Sequence, residues 1–303
     1  MRKFESKNKY YICRKIFELF IMDKKLIKIA IAYDFDGTLA PGNMQEHSFI
    51  PKLGIDNGDF WNESNKRAKK NDMDEILAYM QLMLQKANEK QIPITKKAFY
   101  KHGKEITFFR GIDTFFDRIN QYAKERNVTI EHHIISSGLR DIISGTSISK
   151  YFKNIFASGY VYNSDDVAEW PALAINYTNK TQYLFRINKG INNSYDNSII
   201  NKFVAMDQRP VPFSRMIYLG DGQTDVPAMK MIKYQGGTAI AVYDPKKRKK
   251  KDKLSPKQIC EKLIEQKRAD FIAPADYSEN SKLDQILKIL INKIIEEENL
   301  KNL

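Results

Sequence analysis

Two aspartates stand two residues apart in the segment DFDGT, directly after an apolar run. Asp34 and Asp36 follow the apolar residues 29–33, and the hydroxyl of Thr38 comes next. Two carboxylates in one crevice are costly unless a cation joins them. Mg²⁺ suits such a site because it prefers carboxylate and carbonyl oxygens and keeps room for waters and a phosphate oxygen. The segment therefore predicts a Mg²⁺ site, and a tight turn that uses Asp and Gly only for its geometry is the alternative.

Small and polar residues end a second apolar run. Ser136, Ser137 and Gly138 follow the run TIEHHII, which begins at Thr129. A hydroxyl and the backbone N–H groups of such a turn can hold phosphate oxygens. Lys180, in front of the segment TQYLFRI, can reach the same oxygens as a point charge. Neither feature is specific alone, but together they indicate a phosphate-binding site.

A third apolar run ends in GDGQTD, which contains two more acids. Asp221 and Asp225 are placed there to complete or support a metal site. The glycines on either side of Asp221 allow the backbone to approach closely. Because the carboxyl ends of parallel strands meet at one edge of a sheet, we expect all these residues to share one crevice.

In this order the four segments resemble the four motifs of the haloacid dehalogenase-like superfamily, most closely its phosphatases of the phosphoserine-phosphatase kind. The resemblance covers the chain from about residue 28 to residue 275. It implies that Asp34 is the nucleophile and Asp36 the general acid and base. Ser136 and Lys180 would hold the phosphate, with Thr38 as a further substrate-binding residue.

The resemblance also implies the metal ligands and the reaction. The ligands would be Asp34, the carbonyl of Asp36 and Asp221, with Asp225 as a ligand or as a support for the ligands. The implied reaction is Mg²⁺-dependent hydrolysis of a phosphate monoester of a small metabolite, through an aspartyl-phosphate on Asp34. A phosphomutase or a phosphonate hydrolase on the same core is the alternative, and a protein that binds polyanions without catalysis is a third hypothesis.

The elements that must position these residues can be read from the same sequence. Strands are predicted at the apolar runs that begin at residues 28, 129, 215, 238 and 269. Helical spacing of apolar residues predicts helices over 112–125, 181–187, 226–233 and 283–298. This alternation predicts an α/β fold, a doubly wound parallel sheet with a Rossmann-like core.

Residues 43–107 interrupt the alternation, since helical patterns occur over 60–70, 74–90 and 95–104 without a convincing strand. We therefore expect a small α-helical cap at 43–107, inserted into a catalytic core formed by 25–42 and 108–303. Residues 1–24 are interpreted as an N-terminal extension. The Asn-rich segment 190–212 is expected to be a long loop, or a short helix with loops.

Composition limits the classes of protein that remain. The net charge is +13, but its one local peak, KKRKKKDK at 246–253, lacks interleaved aromatic residues, so we interpret it as a solvated loop away from the acids. Nucleic acid is accordingly not expected as a partner, and a small phosphorylated substrate is. The two cysteines and four histidines form no spaced ligand set. No apolar stretch of about 20 residues predicts a membrane span, so a cytoplasmic enzyme is expected.

Overall fold

The computed structural model describes residues 26–247 and 254–301. The predicted N-terminal extension and residues 248–253 of the Lys-rich run lie outside the described residues. One sheet contains seven strands, which are β1 (Ile27–Tyr33), β2 (Val128–Leu139), β3 (Phe152–Tyr162), β4 (Ala168–Leu173), β5 (Met216–Gly220), β6 (Thr238–Tyr243) and β7 (Phe271–Pro274). Their order across the sheet is β4-β3-β2-β1-β5-β6-β7.

The strands are parallel except for β4, which pairs antiparallel with β3. The central strand β1 pairs with β2 on one side and β5 on the other. Its side chains are buried on both faces, with Ile31 and Tyr33 on one and Ala30 and Ala32 on the other. A strand covered on both faces is a continuous apolar run in sequence, and β1 is such a run.

Eleven α-helices occur in the described ranges, namely α1 (Met44–His47), α2 (Phe49–Lys52), α3 (Asn57–Asn71), α4 (Glu75–Glu89), α5 (Lys96–Gly103), α6 (Ile112–Lys124), α7 (Arg140–Ser144), α8 (Lys180–Lys189), α9 (Val226–Tyr234), α10 (Pro256–Glu265) and α11 (Lys282–Leu300). Helices α6 and α11 pack on one face of the sheet, and α8, α9 and α10 pack on the other. The predicted α/β fold with a doubly wound sheet is confirmed. None of these helices is long and apolar enough to cross a membrane.

Strands β3 and β4 and helix α10 were not predicted from the sequence. Lys153 and Asn154 break the apolar pattern of β3. At the outer edge of the sheet, β4 exposes Glu169 and Trp170 and contains Pro171, which an edge strand tolerates because it lacks a neighbour on that side. Because edge strands need no continuous apolar run, pattern alone did not indicate this one.

Helices α1 to α5 lie between β1 and α6, as the predicted cap requires. Their buried side chains, such as Phe60 and Met80, belong to the same core cluster as Ile31 of the central strand. An isolated bridge between Thr95 and Val167 also joins this segment to the β3–β4 hairpin. The helical segment is therefore packed into the molecule, while its division from the core at 43 and 107 stays a prediction.

Candidate active site

Asp34 lies at the carboxyl end of β1, the central strand. Its backbone N–H donates to the carbonyl of Leu219 in β5 at 2.9 Å, which fixes the point where the chain leaves the sheet. Its side chain is buried, and one carboxylate oxygen is 2.8 Å from Nζ of Lys180. A buried carboxylate that faces an ammonium is held in one orientation by that charge.

Lys180, at the start of α8, is itself only 1% exposed. Besides Asp34, its ammonium contacts Oδ1 of Asp225 at 2.7 Å. Asp225 Oδ1 also accepts from the hydroxyl of Tyr218 at 2.7 Å, and its Oδ2 accepts from the backbone N–H of Asp221 at 3.0 Å. Both oxygens of Asp225 are thus occupied by protein groups, which makes it a support for Lys180 and for the Asp221 turn.

The charges of this cluster are unbalanced, and the pKa values show it. Burial raises the pKa of Asp34 to about 6, repulsion from Asp225 adds to this, and Lys180 opposes it. Burial, followed by repulsion from Asp225 and Asp34, raises the pKa of Asp221 to about 8. Burial alone would lower the pKa of Lys180, but attraction to Asp225 and Asp34 raises it instead. The cluster therefore contains three carboxylates and one ammonium.

The donor set fits a hard divalent cation. Carboxylate oxygens of Asp34, Asp221 and Asp225 lie within 4.8 Å of one another. Gly37 has a positive φ of 74°, and a side chain there would collide with the carboxylate of Asp221. This close approach brings Asp221 to the backbone that follows Asp36. Oxygen ligands with excess negative charge are what Mg²⁺ binds.

The carboxylate of Asp36 is not part of that cluster. Its Oδ1 accepts from the backbone N–H of Met44 at 2.8 Å, where α1 begins. A side chain at Gly138 would collide with Met44 and come within 3.2 Å of Asp36 Oδ2, so the absence of a Cβ at Gly138 makes room for both. Burial, and then repulsion from Asp34, raises the pKa of Asp36 well above its usual value. Both effects favour the protonated form of Asp36, which is the form that a general acid needs.

The carboxyl end of β2 forms another wall of the site, and Ser136 to Gly138 lie within this strand, at an irregularity in its pairing with β3, not in a turn after it. Ser136 Oγ accepts from the backbone N–H of Gly138 at 3.0 Å within this strand end. Ser137 Oγ is buried and has no hydrogen-bond partner among the described residues. Thr38 Oγ1 is likewise buried and unpartnered, but Thr38 does not line the cavity, and its carbonyl accepts from Tyr277 at 2.7 Å. The geometry favours Ser136 to Gly138 over Thr38 as the contact with a substrate.

These groups open into one cavity of about 620 Å³. The core side is lined by Asp34, Asp36, Gly37, Ser136, Ser137, Gly138, Tyr177, Lys180, Asp221, Thr224 and Lys247. The opposite side comes from the helical segment and its entry loop, with Gly42, Asn43, Gln45, Glu46, Trp61, Ser64, Asn65, Glu75, Ile76 and Tyr79. The nucleophile candidate is therefore roofed by the segment predicted to be a cap.

Lys247 corrects one expectation from the sequence. The Lys-rich run was expected to lie away from the acids, yet Lys247 lines the cavity and its charge lowers the pKa of Asp221 against the effect of burial. The reason is topological, since β6 runs parallel to β5 and both strands end at the same edge. Residues 248–253 lie outside the described residues.

No family model matches the chain. An uncharacterized protein from Borreliella burgdorferi is 27% identical over 283 residues, which cover 84% of this chain and 93% of that protein. A HAD family hydrolase from Salmonella enterica serovar Typhi matches with a TM-score of 0.53 at 16% identity, over 91% of this chain and 79% of that chain. A substrate-bound phosphoserine phosphatase matches with a TM-score of 0.52 at 17% identity, over 88% of this chain and 99% of that one.

The chain has the haloacid dehalogenase-like fold. Within this fold, the predicted Asp34, Lys180, Asp221 and Asp225 are brought together. Sequence reasoning missed Tyr218, whose hydroxyl orients Asp225. A tyrosine inside a buried strand carries no functional signal on its own, so only its contact reveals this role.

Proposed function

We propose that the chain is a Mg²⁺-dependent phosphatase that hydrolyses a phosphate monoester of a small metabolite through an aspartyl-phosphate on Asp34. One observation carries the proposal: the buried carboxylate of Asp34 lies 2.8 Å from Lys180, in the wall of a cavity that also contains Asp36. A nucleophile, a phosphate-binding cation and a proton donor are thus available to one bound substrate.

The first half of the reaction transfers the phosphoryl group to the protein. The carboxylate of Asp34 attacks phosphorus, and the bond from phosphorus to the alcohol oxygen breaks. Asp36 donates its proton to the leaving oxygen. Lys180 offsets the negative charge that would otherwise repel a carboxylate from a phosphate, and Ser136 and Ser137 at the end of β2 hold the other phosphate oxygens.

The second half regenerates the protein. Asp36, now ionised, takes a proton from a water molecule, whose oxygen attacks phosphorus. The bond from phosphorus to Asp34 breaks, and inorganic phosphate leaves. Asp36 is thereby protonated again, so the same residue acts as acid and then as base.

Asp34, Asp221 and the carbonyl of Asp36 would hold the Mg²⁺ ion, and Asp225 would support them through Lys180 and the Asp221 backbone. When bound, the ion would offset the charge of the phosphoryl oxygens. This arrangement is consistent with the raised pKa values of Asp34 and Asp221, because an adjacent cation would offset the burial of their charges and the repulsion between them.

The size of the cavity and its helical roof support a small substrate. A volume of about 620 Å³ is in the range of sites that bind small molecules. The proteins with similar folds include phosphoserine phosphatases, which act on a small phosphorylated substrate. We assign the choice of leaving group to the residues 43–107 that roof the cavity, and a cytoplasmic location remains part of the proposal.

The residues that line the cavity distinguish a phosphatase from some of the alternative functions. A phosphonate hydrolase of this fold would need a lysine from the cap to form a Schiff base. Among the described residues that line the cavity, the lysines are Lys180 and Lys247, and neither belongs to the helical segment. This favours a phosphatase or phosphomutase, whereas the cluster of acids argues against a protein that only binds polyanions.

A panel of phosphorylated metabolites together with phenyl phosphate tests the proposal, with phosphate release measured in Mg²⁺ and in EDTA. We expect release that requires Mg²⁺ and is abolished in Asp34→Asn, because the amide is neither a nucleophile nor a good metal ligand. Asp165→Asn, in an exposed turn, is the matched control and should retain activity. Release by a folded Asp34→Asn protein, or full activity in EDTA, would disprove the assignment.

A further inference from the structure

The loop in front of Lys180 is bonded to the helical roof of the cavity. Asn176 Nδ2 donates to Asp74 Oδ2 at 2.8 Å, and Asp74 is the residue that caps the N-terminus of α4. The hydroxyl of Tyr177 donates to Glu75 at 2.9 Å directly beside it. Tyr177 and Glu75 both line the cavity, so these bonds close its rim.

The same Asn176 organises the start of α8. Its Oδ1 accepts from the backbone N–H groups of Thr178 at 3.2 Å and Asn179 at 3.0 Å. The backbone N–H of Lys180 donates to the carbonyl of Asn176 at 3.2 Å. Asn179, at the N-cap position of α8, makes no side-chain cap bond of its own. The N–H groups in the first turn of α8 donate to backbone carbonyls, so the side chain of Asn176 holds the turn that leads into the helix.

The amide nitrogen of Asn176 therefore bonds to Asp74 in the roof, and its amide oxygen bonds to the turn that precedes Lys180. The nitrogen and oxygen of an asparagine are fixed relative to each other, so a displacement of Asp74 is transmitted to the turn. Lys180 has little freedom to compensate, because its ammonium lies between Asp34 and Asp225.

We propose that Asn176 is a positioning residue that couples the seating of the helical segment on the cavity to the placement of Lys180. The inference rests on the proposed function. When Asp74 holds Asn176, the turn and Lys180 are in place, and phosphoryl transfer proceeds at its full rate. When the segment is unseated, the turn loses its outer anchor, and the rate of the chemical step falls.

An exchange of the side chains of Asn176 and Asp74 tests this coupling. Asn176→Asp keeps the oxygen that serves the turn but places a carboxylate against Asp74, so the bond to the roof is replaced by repulsion. Adding Asp74→Asn restores an amide opposite a carboxylate, with donor and acceptor exchanged. Asn is as good a helix N-cap as Asp, so α4 keeps its capping.

Turnover of phenyl phosphate and the melting temperature are measured for both proteins and the wild type. We expect kcat to fall roughly tenfold or more in Asn176→Asp, because small misplacements of catalytic groups are costly, and to recover to within about threefold in the double variant. Asn193→Asp is the matched control, since Asn193 forms a similar turn by accepting from the N–H of Asp196 at 2.9 Å.

Three outcomes would overturn the coupling: unchanged kcat in Asn176→Asp, no recovery in the double variant, or an equal loss in Asn193→Asp. A merely structural role would lower the melting temperature and kcat together, and the exchange would not restore kcat selectively. If wild-type protein with Mg²⁺ releases no phosphate from any ester, it is the proposed function that fails, and the two failures are distinguishable.

Discussion

Asp225 Oδ1 lies 2.7 Å from Nζ of Lys180, and both carboxylate oxygens of Asp225 accept hydrogen bonds from protein donors. The ammonium that faces the candidate nucleophile is therefore positioned by an acid behind it. Two buried carboxylates and one buried ammonium form a chain in which the central charge stabilises both neighbours.

We predict that Lys180→Met lowers both activity and stability. Removal of the ammonium leaves Asp34 and Asp225 buried with no opposing charge, and breaking a buried pair from one side costs about 3 kcal/mol or more. Urea unfolding measures the loss of unfolding free energy, and phosphate release measures turnover. The double variant Lys180→Met with Asp225→Asn should recover stability but not turnover, whereas recovery of both would show that Lys180 has only a structural role.

We predict that stabilisation by Mg²⁺ increases with pH. The raised pKa values of Asp34, about 6, and Asp221, about 8, mean that the folded protein without metal binds protons which the unfolded chain has released. Its stability therefore falls as pH rises from about 4 to 8, and a bound cation removes that loss. The rise in melting temperature on replacing EDTA by Mg²⁺ should be larger at pH 8 than at pH 5.

This difference measurement cancels the effect of the histidines. Burial lowers the pKa of His102 to about 4 and of His132 to about 3, so the protein loses stability as pH falls below the usual histidine range. That loss is the same with and without the ion. A Mg²⁺ effect that is equal at both pH values, or absent, would argue against carboxylates as the metal ligands.

We predict that Lys247→Ser lowers kcat/KM for a small phosphate ester a few-fold and makes it less sensitive to salt. Lys247 lines the cavity, so its charge attracts the phosphate dianion over the distance that salt screens. Stopped assays at several NaCl concentrations measure both effects. Lys246→Ser is the control, because Lys246 is exposed but does not line the cavity, and an equal effect of both substitutions would remove the special role of Lys247.

We predict that Trp61→Leu reorders the esters that the protein accepts. Trp61 lines the roof of the cavity and donates to Glu46 at 2.7 Å, so its loss changes what the leaving group meets. The kcat/KM ratios among esters should change about tenfold, with turnover of phenyl phosphate changed less. Trp170→Leu is the control, since Trp170 is 67% exposed on β4, and unchanged ratios in Trp61→Leu would place selectivity elsewhere.

The sequence predicted the part of the site that depends on strands meeting at one edge. Asp34 and Asp221 were found because each directly follows a buried run, and parallel pairing of β1 with β5 brings them together. Lys247 was misjudged although the same rule applies to β6, because its lysine-rich surroundings indicate a solvated loop. Asn176 and Tyr218 could not be predicted, since their roles consist only of contacts with residues distant in sequence or buried beside the site.

The bridge between Thr95 and Val167 bears on how this protein could be engineered. Around it, the N–H of Lys96 donates to the carbonyl of Asp166 and the N–H of Ala168 donates to the carbonyl of Ile94, both at 3.0 Å. A roof transplanted from another protein of this fold would leave the β3–β4 hairpin with these backbone groups unpaired. A chimera should therefore exchange residues 43–107 together with the hairpin at 152–173, and the two segments form one unit of recombination although 44 residues separate them in sequence.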